Sequence, residues 1–314
     1  MTVGITAGAE QVAKGKFTLE VEGKTLRLSN LDRVLYPETG FTKGDLIDYY
    51  AAVAPAILPH LEGRPLTMRR FPGGVNGKSF WEKRCPAHRP DWVKTESIWS
   101  ESNEEELDYC VAGDVATLVW AANLADIEMH TSLATARERE TPRTVVFDLD
   151  PGEPADIMDC AELALTIRGM LAGAGLVTFV KTSGSKGMQL YLPVNTETDY
   201  ETTKTFAHRL ARMLEKEMPD QVVSRMKKSL REGRVFVDWS QNVRHKTTVC
   251  VYSMRARPHP SVSTPVTWEE VESAVGDDDA GKLTFGPDDV LDRIADKGDL
   301  FAEVLELKQE LPEI

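Results

Sequence analysis

The chain has 314 residues, enough for one large domain or two ordinary ones. Hydrophobic residues make up 41% and charged residues 28%, a globular mix in which no apolar run approaches the ~18 residues of a membrane helix. Met1 to Gln11 lacks the basic-then-apolar pattern of a secretory signal, and the net charge of −13 speaks, as a sum, against a polyanion-binding protein.

The distribution of charge says more than the sum. From Glu269 to Ile314, fifteen acids stand against four Lys/Arg, whereas Arg225 to Arg257 carries nine Lys/Arg against Glu232 and Asp238. A second acidic run lies between Glu96 and Asp108. The basic block is interleaved with apolar and aromatic strand residues, so it reads as more than a solvated face. Cys85, Cys110, Cys160 and Cys250 are scattered without a C-x-x-C pair. That argues against structural zinc and against a disulfide framework, and the expectation is a cytoplasmic protein with free thiols.

Residues 1–16 read as a loose leader. Phe17 to Leu28 alternates apolar and polar residues around Glu22-Gly23-Lys24, the pattern of a β-hairpin. Ser29 to Pro37 is expected to form a short helical turn. Thr42, with Asp45 three residues on, caps a helix from Lys43 to Leu58 that Pro55 interrupts. Pro65 to Arg70 predicts a strand, followed by a glycine-rich loop ending in Phe80-Trp81. Arg69, Arg70 and this aromatic pair make a platform for a phosphate and a base. A strand at Leu107 to Val111 and a helix from Gly113 passing into a strand near Ile127 to His130 follow.

From Arg143 the order is strand, helix, strand, strand, helix, strand, which is the ferredoxin-like β-α-β-β-α-β arrangement. The strands are Val145 to Asp150, Leu176 to Thr182, Met188 to Pro193 and Arg234 to Trp239; the helices are Ile157 to Ala172 and Tyr200 to Glu217. Thr247 to Met254 reads as a further strand. Two helices, near Thr267 to Ala274 and Asp288 to Leu307, fill the acidic tail.

The chemistry centres on Asp148-Leu149-Asp150. Residues two apart on a strand point to one face, so the two carboxylates project together, roughly 6–7 Å apart at Cα. Repulsion makes such a pair costly unless a divalent cation neutralises it. Asp238 closes its own strand in the same way, and if it faces the same cleft three hard oxygen donors converge, suited to Mg²⁺ or Mn²⁺. Thr182-Ser-Gly-Ser-Lys-Gly187 joins two strands with glycines, hydroxyls and Lys186, a cradle for a triphosphate that lacks the Walker A spacing. Lys227, Lys228, Arg231, Arg244, Lys246, Arg255 and Arg257 are then available to phosphates.

These blocks resemble the polymerase domain of bacterial ATP-dependent DNA ligase D, in the archaeo-eukaryotic primase superfamily. The matching segments are Val34-Leu-Tyr-Pro37, Gly63-Arg-Pro65, Phe147-Asp-Leu-Asp-Pro-Gly152, Thr182-Ser-Gly-Ser-Lys-Gly187, Val235-Phe-Val-Asp-Trp-Ser-Gln-Asn242 and Lys246-Thr247. The resemblance implies an α+β primase-polymerase fold, in which an RRM-like (ferredoxin-like) catalytic sheet packs with an N-terminal α/β module. On that basis residues 1–25 are a leader and the start of the hairpin. Residues 26–265 are the polymerase domain, with its N-terminal module to about 140 and its catalytic module from about 141. Residues 266–314 are an acidic helical segment completing the domain, with its charges read as a solvated appendage. With no ligase or nuclease sequence beside it, a stand-alone form is expected.

The resemblance also implies a function: extension of primer 3′-OH ends at gaps and double-strand breaks, preferring ribonucleotides, in end joining or gap-filling repair. Asp148, Asp150 and Asp238 would be catalytic and bind two Mn²⁺ (or Mg²⁺) ions. His130, Ser183, Lys186, Arg231, Gln241 and Arg255 would hold the nucleoside triphosphate substrate, an NTP or dNTP. Asn30, Arg33 and Lys43 match a pocket for a 5′-phosphate, with Arg33 where a family member has Lys. Arg69, Arg70, Phe80 and Trp81 would meet DNA and template, Phe80-Trp81 replacing a Phe-Phe pair. The implied partners are DNA with gaps or 5′-phosphorylated ends, an end-joining ligase and end-binding proteins, with no membrane and a cytoplasmic, nucleoid-associated setting. Two other readings use the same residues: a metal-dependent nuclease or phosphohydrolase, and a non-catalytic protein that binds DNA ends.

Overall fold

Two β-sheets face each other across a cleft, and alternation along their strands decides which side chains enter it. The structure, a computed structural model, describes residues 4–100 and 103–312. The leader's first three residues, two positions of the Glu96–Asp108 run and the last two of the tail lie outside the described ones. No helix among the described residues is long and apolar enough to cross a membrane.

The first sheet is built on the strand Thr144–Pro151. In order across the sheet run Val222–Val223, Val235–Asp238, Thr144–Pro151, Met188–Pro193, Phe179–Thr182 and Pro265–Val266. The middle four are antiparallel neighbours in the ferredoxin-like order, fourth, first, third, second. The fourth strand is not at the edge, as a bare β-α-β-β-α-β sheet would have it, because Val222–Val223 pairs with it in parallel. Val145, Phe147 and Leu149 point into one core with Leu163, Ile167, Phe206 and Leu210 of the helices Ile157–Gly173 and Tyr200–Glu217. Val146, Asp148 and Asp150 therefore face the other way, into the cleft. Burying such aliphatic side chains stabilises by roughly 1.5–3 kcal/mol each, so the register is strongly held.

The opposing sheet runs Thr248–Val249, Asp126–Thr131, Leu66–Arg70, Glu105–Cys110 and Thr95–Ser100, with Phe80–Glu82 also paired to Leu66–Arg70. Its backing helices are Lys43–Ala52, Ala54–Leu61 and Val115–Asn123. Ile127 and Met129 join their core, which leaves Glu128 and His130 on the alternate, cleft side.

Several expectations need correction. The leader is not loose: Glu10–Ala13 pairs with the hairpin strand Lys16–Val21, and Thr6 donates twice to Asp48. Ser29 to Pro37 holds no helical turn; Val34–Tyr36 pairs with Phe41–Thr42. The capping box of Thr42 and Asp45 forms, but the helix stops at Ala52 and a second begins at Ala54, where Pro55 needs no N–H partner. Thr247 to Met254 is not one strand. It breaks at Cys250 to Ser253, where Tyr252 has φ 65°, and only Thr248–Val249 and Met254–Arg255 are extended. The tail is not an appendage, since Val290, Phe301 and Val304 are buried in the core and Asp299 accepts hydrogen bonds from His60 and Tyr252. Cys85 and Cys110 are not free thiols: the segment after Phe80–Glu82 crosses the strand Glu105–Cys110, where the Cys85 N–H donates to Asp108 O, and the two form a disulfide, leaving Cys160 and Cys250 as buried thiols.

Candidate active site

Antiparallel register places Asp238 directly opposite Asp148, and Asp150 opposite Phe236. One ligand oxygen from each of Asp148, Asp150 and Asp238 lies within 4.8 Å of the others. Few charges oppose them. Gln189 Nε2 donates to Asp148 Oδ1 at 3.0 Å, and Gln241 Nε2 donates to Asp238 Oδ2 at 3.0 Å and to Asp148 Oδ2 at 3.3 Å. The Ser240 backbone N–H and hydroxyl donate to Asp238 Oδ1, and Lys246 Nζ stands 3.8 Å from Asp238 Oδ2. Burial first, then Asp150, raises the Asp148 carboxyl above its ordinary range; burial and Asp238 do the same to Asp150. Three crowded carboxylates met mainly by neutral amides are short of positive charge. Their all-oxygen donor set fits a hard divalent cation.

The turn Ser183–Gly187 rises beside them. Ser183 Oγ accepts from the backbone N–H of Ser185 and of Gly187 at 3.2 Å each, which folds the loop around its own hydroxyl. Gly187 is required there, because an added Cβ would run into the Leu149 carbonyl oxygen on the acid strand. Lys186 is exposed and paired with Glu153. Arg255 bridges the sheets: its Nη1 donates to Ser183 O at 2.6 Å and its Nε lies 3.3 Å from Glu128 Oε1. Together these groups line a cleft of about 360 Å³ that takes in His130, Asp148, Asp150, Lys186, Arg231 and Gln241. Arg231 stacks over Phe236, 3.7 Å from the ring centroid, and donates to Met226 O.

Glu128 is the residue sequence reasoning missed. It is 1% exposed, yet it gathers Arg69 Nη1 at 3.1 Å, His130 Nε2 at 3.2 Å, Arg255 Nε at 3.3 Å and the Ala256 N–H at 3.0 Å. Burial alone would raise its pKa, but His130, Arg255 and the Ala256 N–H outweigh it and hold the carboxyl well below the usual range. Burial lowers His130, with Glu128 only partly restoring it. The signal was present: Glu128 and His130 are two apart on a strand and so share a face. Gln189 was missed for a different reason, since only its register against Asp148 gives it a role.

The aromatic platform forms as a layer. Trp81 pairs with Arg69 across the strands and Phe80 with Arg70. Trp81 packs edge-on to His130 at 4.7 Å, and Arg69 lies 5.2 Å over Trp81. Phe80 and Trp81 remain 40% and 53% exposed. Farther off, backbone hydrogen bonds from Arg33 to Asn30 and from Lys43 to Arg33 bring Asn30, Arg33 and Lys43 together. Arg33 is exposed, but Lys43 is buried. Its ammonium donates to Ser29 Oγ and to both oxygens of Asn123, and burial, then Arg33, lowers it to about 8.

Residues 42–301 match the family model described as LigD, primase-polymerase domain. The chain belongs to the LigD primase-polymerase family. It is 42% identical over 281 residues to the multifunctional non-homologous end joining DNA repair protein LigD of Mycobacterium tuberculosis, covering 87% of this chain and 36% of that protein. The bifunctional non-homologous end joining protein LigD of Bacillus subtilis is 31% identical over 288 residues, 91% of this chain and 45% of its own. The chain thus spans less than half the length of these LigD relatives. The solved polymerase domain of Mycobacterium tuberculosis ligase D, in complex with DNA, superposes with a TM-score of 0.82 at 40% identity, over 90% of this chain and 99% of that one. The α+β fold is therefore that of the LigD polymerase domain.

Proposed function

We propose that the protein transfers nucleotides to primer 3′-OH ends on gapped or broken DNA, as a primase-like polymerase serving end joining or gap-filling repair. One observation carries the reading: Asp148 and Asp238 are register partners, with Asp150 beside them and the Ser183–Gly187 turn alongside. Membership of the LigD primase-polymerase family and the DNA-bound structural relative support it.

Two divalent cations, Mn²⁺ or Mg²⁺, held by Asp148, Asp150 and Asp238, would activate the attacking hydroxyl and stabilise the leaving oxygen. The chain's own groups do the rest. Gln189 and Gln241 fix the carboxylate rotamers through their amide N–H groups. The Ser183 hydroxyl, Lys186, Arg255 and His130 line the side that takes the triphosphate, with Lys186 exchanging its exposed partner Glu153 for phosphate. Arg231 and Gln241 border the nucleotide, and Trp81 offers its face to a base. Arg69, Arg70 and Phe80 meet template, and Arg33 with Asn30 and Lys43 forms a 5′-phosphate pocket. Because Lys43 is buried among its own acceptors, Arg33 is the phosphate-facing cation of that pocket.

The test is primer extension on a 5′-phosphorylated gapped duplex with Mn²⁺, offering ribonucleotides and deoxyribonucleotides separately. Extension of the primer, faster with ribonucleotides, is expected. A primer shortened in the absence of triphosphates would instead identify a nuclease, and no change in the primer together with tight end binding would identify a non-catalytic end-binding protein.

A further inference from the structure

Lys181 is fully buried, 0% exposed, and none of the chemistry above uses it. It stands on the strand Phe179–Thr182, directly opposite Gln189. Gln189 in turn stands opposite Asp148, and Asp148 opposite Asp238. These four residues form one row across neighbouring strands. The residues next to them in the chain, Val180, Met188, Leu190, Phe147, Leu149 and Val237, bury in the helix-packed core. Alternation therefore turns the whole row to the other face, that of the acid cluster.

Taking a charge out of water is costly unless an opposite charge offsets it. Among the described residues no carboxylate is in ion-pair contact with Lys181. Its ammonium donates to Ser263 Oγ at 2.6 Å and lies 5.6 Å from the centroid of the Tyr191 ring. Arg255 is near enough to repel it. Packing alone gives no reason for the charge, since a flexible Met of similar length would fill the same space. The negative charge that acts on it is Asp148, two strands along the row. Adjacent strands lie about 4.8 Å apart, so the two backbones are roughly 10 Å from each other.

Gln189 stands between them. It is 4% exposed, its Nε2 donates to Asp148 Oδ1 at 3.0 Å, and its Oε1 is buried without a hydrogen-bond partner. An amide flanked by a carboxylate on one side and an ammonium on the other is held with its N–H toward the carboxylate, because both charges favour that sense of its dipole.

We propose that Lys181 is a positioning residue of the acid cluster: from behind Gln189 it supplies a standing counter-charge to Asp148 and so loosens the cluster's hold on divalent cations. The inference rests on the metal assignment above. A fixed positive charge behind the carboxylates raises the energy of the metal-loaded site. Protons at the acids feel the same charge, but a dication feels about twice as much of it, so competition with protons does not reverse the sign.

The test is calorimetric titration of the metal-free protein with Mn²⁺ alone, without nucleotide or DNA. Burial lowers the Lys181 ammonium to about 7, so a buffer slightly below that keeps most of its charge. Lys181→Met removes the charge and the hydrogen bond to Ser263; Lys181→Gln removes the charge and offers an amide N–H in its place. Both should bind Mn²⁺ on the order of tenfold more tightly than wild type. Affinity within twofold of wild type, or weaker, in either variant overturns the inference, because loss of packing or of a hydrogen bond would not tighten binding in both. Should Lys181→Met fail to fold, Lys181→Gln alone decides. Wild type that binds no Mn²⁺ sinks the metal assignment and this inference together. Wild type that binds Mn²⁺ but extends no primer sinks the polymerase reading alone, and the three affinities still decide the role of Lys181.

Discussion

The cleft holds two groups of acids with opposite electrostatics. Glu128 is nearly inaccessible but surrounded by the chain's own donors, the cations Arg69 and Arg255 together with His130, so its charge is satisfied and its pKa depressed. Asp148, Asp150 and Asp238 are more open, yet meet chiefly amides and one another, so Asp148 and Asp150 are raised. An acid that brings its own counter-charges is a support, while acids left short of charge are waiting for a ligand. Glu128 ties Arg69, Arg255 and His130 to one point; the aspartates have no matching cations close by among the described residues apart from Lys246.

Four measurements sharpen or break this contrast. The largest effect is expected from Asp148→Asn with Asp150→Asn. Losing charge stabilisation worth several kcal/mol should cut primer extension on the order of 10³-fold. The thermal midpoint in chelator should not fall, since a repulsion is removed; full activity would sink the metal assignment. Next comes Glu128→Gln, which leaves Arg69 and Arg255 facing a neutral amide. Breaking a buried charged group in this way costs ~3–5 kcal/mol, to be read as a lower urea midpoint with a raised nucleotide KM. An unchanged midpoint would show that Glu128 is not the tie.

The third measurement is pH. Glu128 and His130 both have depressed folded values. Their stabilisation is present above the unfolded values, roughly 4.3 and 6.5, and is lost as pH falls through each lowered folded value. The raised Asp148 and Asp150 have the opposite sign: their contribution is full below the ordinary carboxylate value, about 3.9, and is lost as pH rises through the raised values. In chelator, wild type should therefore lose stability toward neutral pH relative to the double Asn variant, and Mn²⁺ should close that gap. Parallel pH curves for the two proteins would remove the contrast. The fourth measurement, smallest in its effect on turnover, is Gly187→Ala. Its methyl group would overlap the Leu149 carbonyl oxygen, so the turn has to move off the acid strand, and the nucleotide KM should rise more than the primer KM.

Much of this was legible in the chain itself. The helices Ile157–Gly173 and Tyr200–Glu217 and the four central strands follow from apolar periodicity, and the motif blocks carry the family resemblance. Short irregular pieces were less legible. Val34–Tyr36 and Glu10–Ala13 are strands because a partner strand completes their backbone hydrogen bonds, and local pattern does not name that partner. Cys85 and Cys110, 25 residues apart, meet because the segment after Phe80–Glu82 lies along the strand Glu105–Cys110, 4.9 Å apart at Cα.

The sequence by itself determined that Asp148 and Asp150 share a face, because side chains on a strand alternate whatever surrounds them. It also determined that glycines and hydroxyls fill the neighbouring turn. Only the tertiary structure decided that Asp238 stands opposite Asp148, that Gln189 and Gln241 hold the acids, and that Glu128 collects Arg69, Arg255 and His130. These are contacts between strands and across sheets, and their register is set by which faces bury in the two cores, a property no single segment contains.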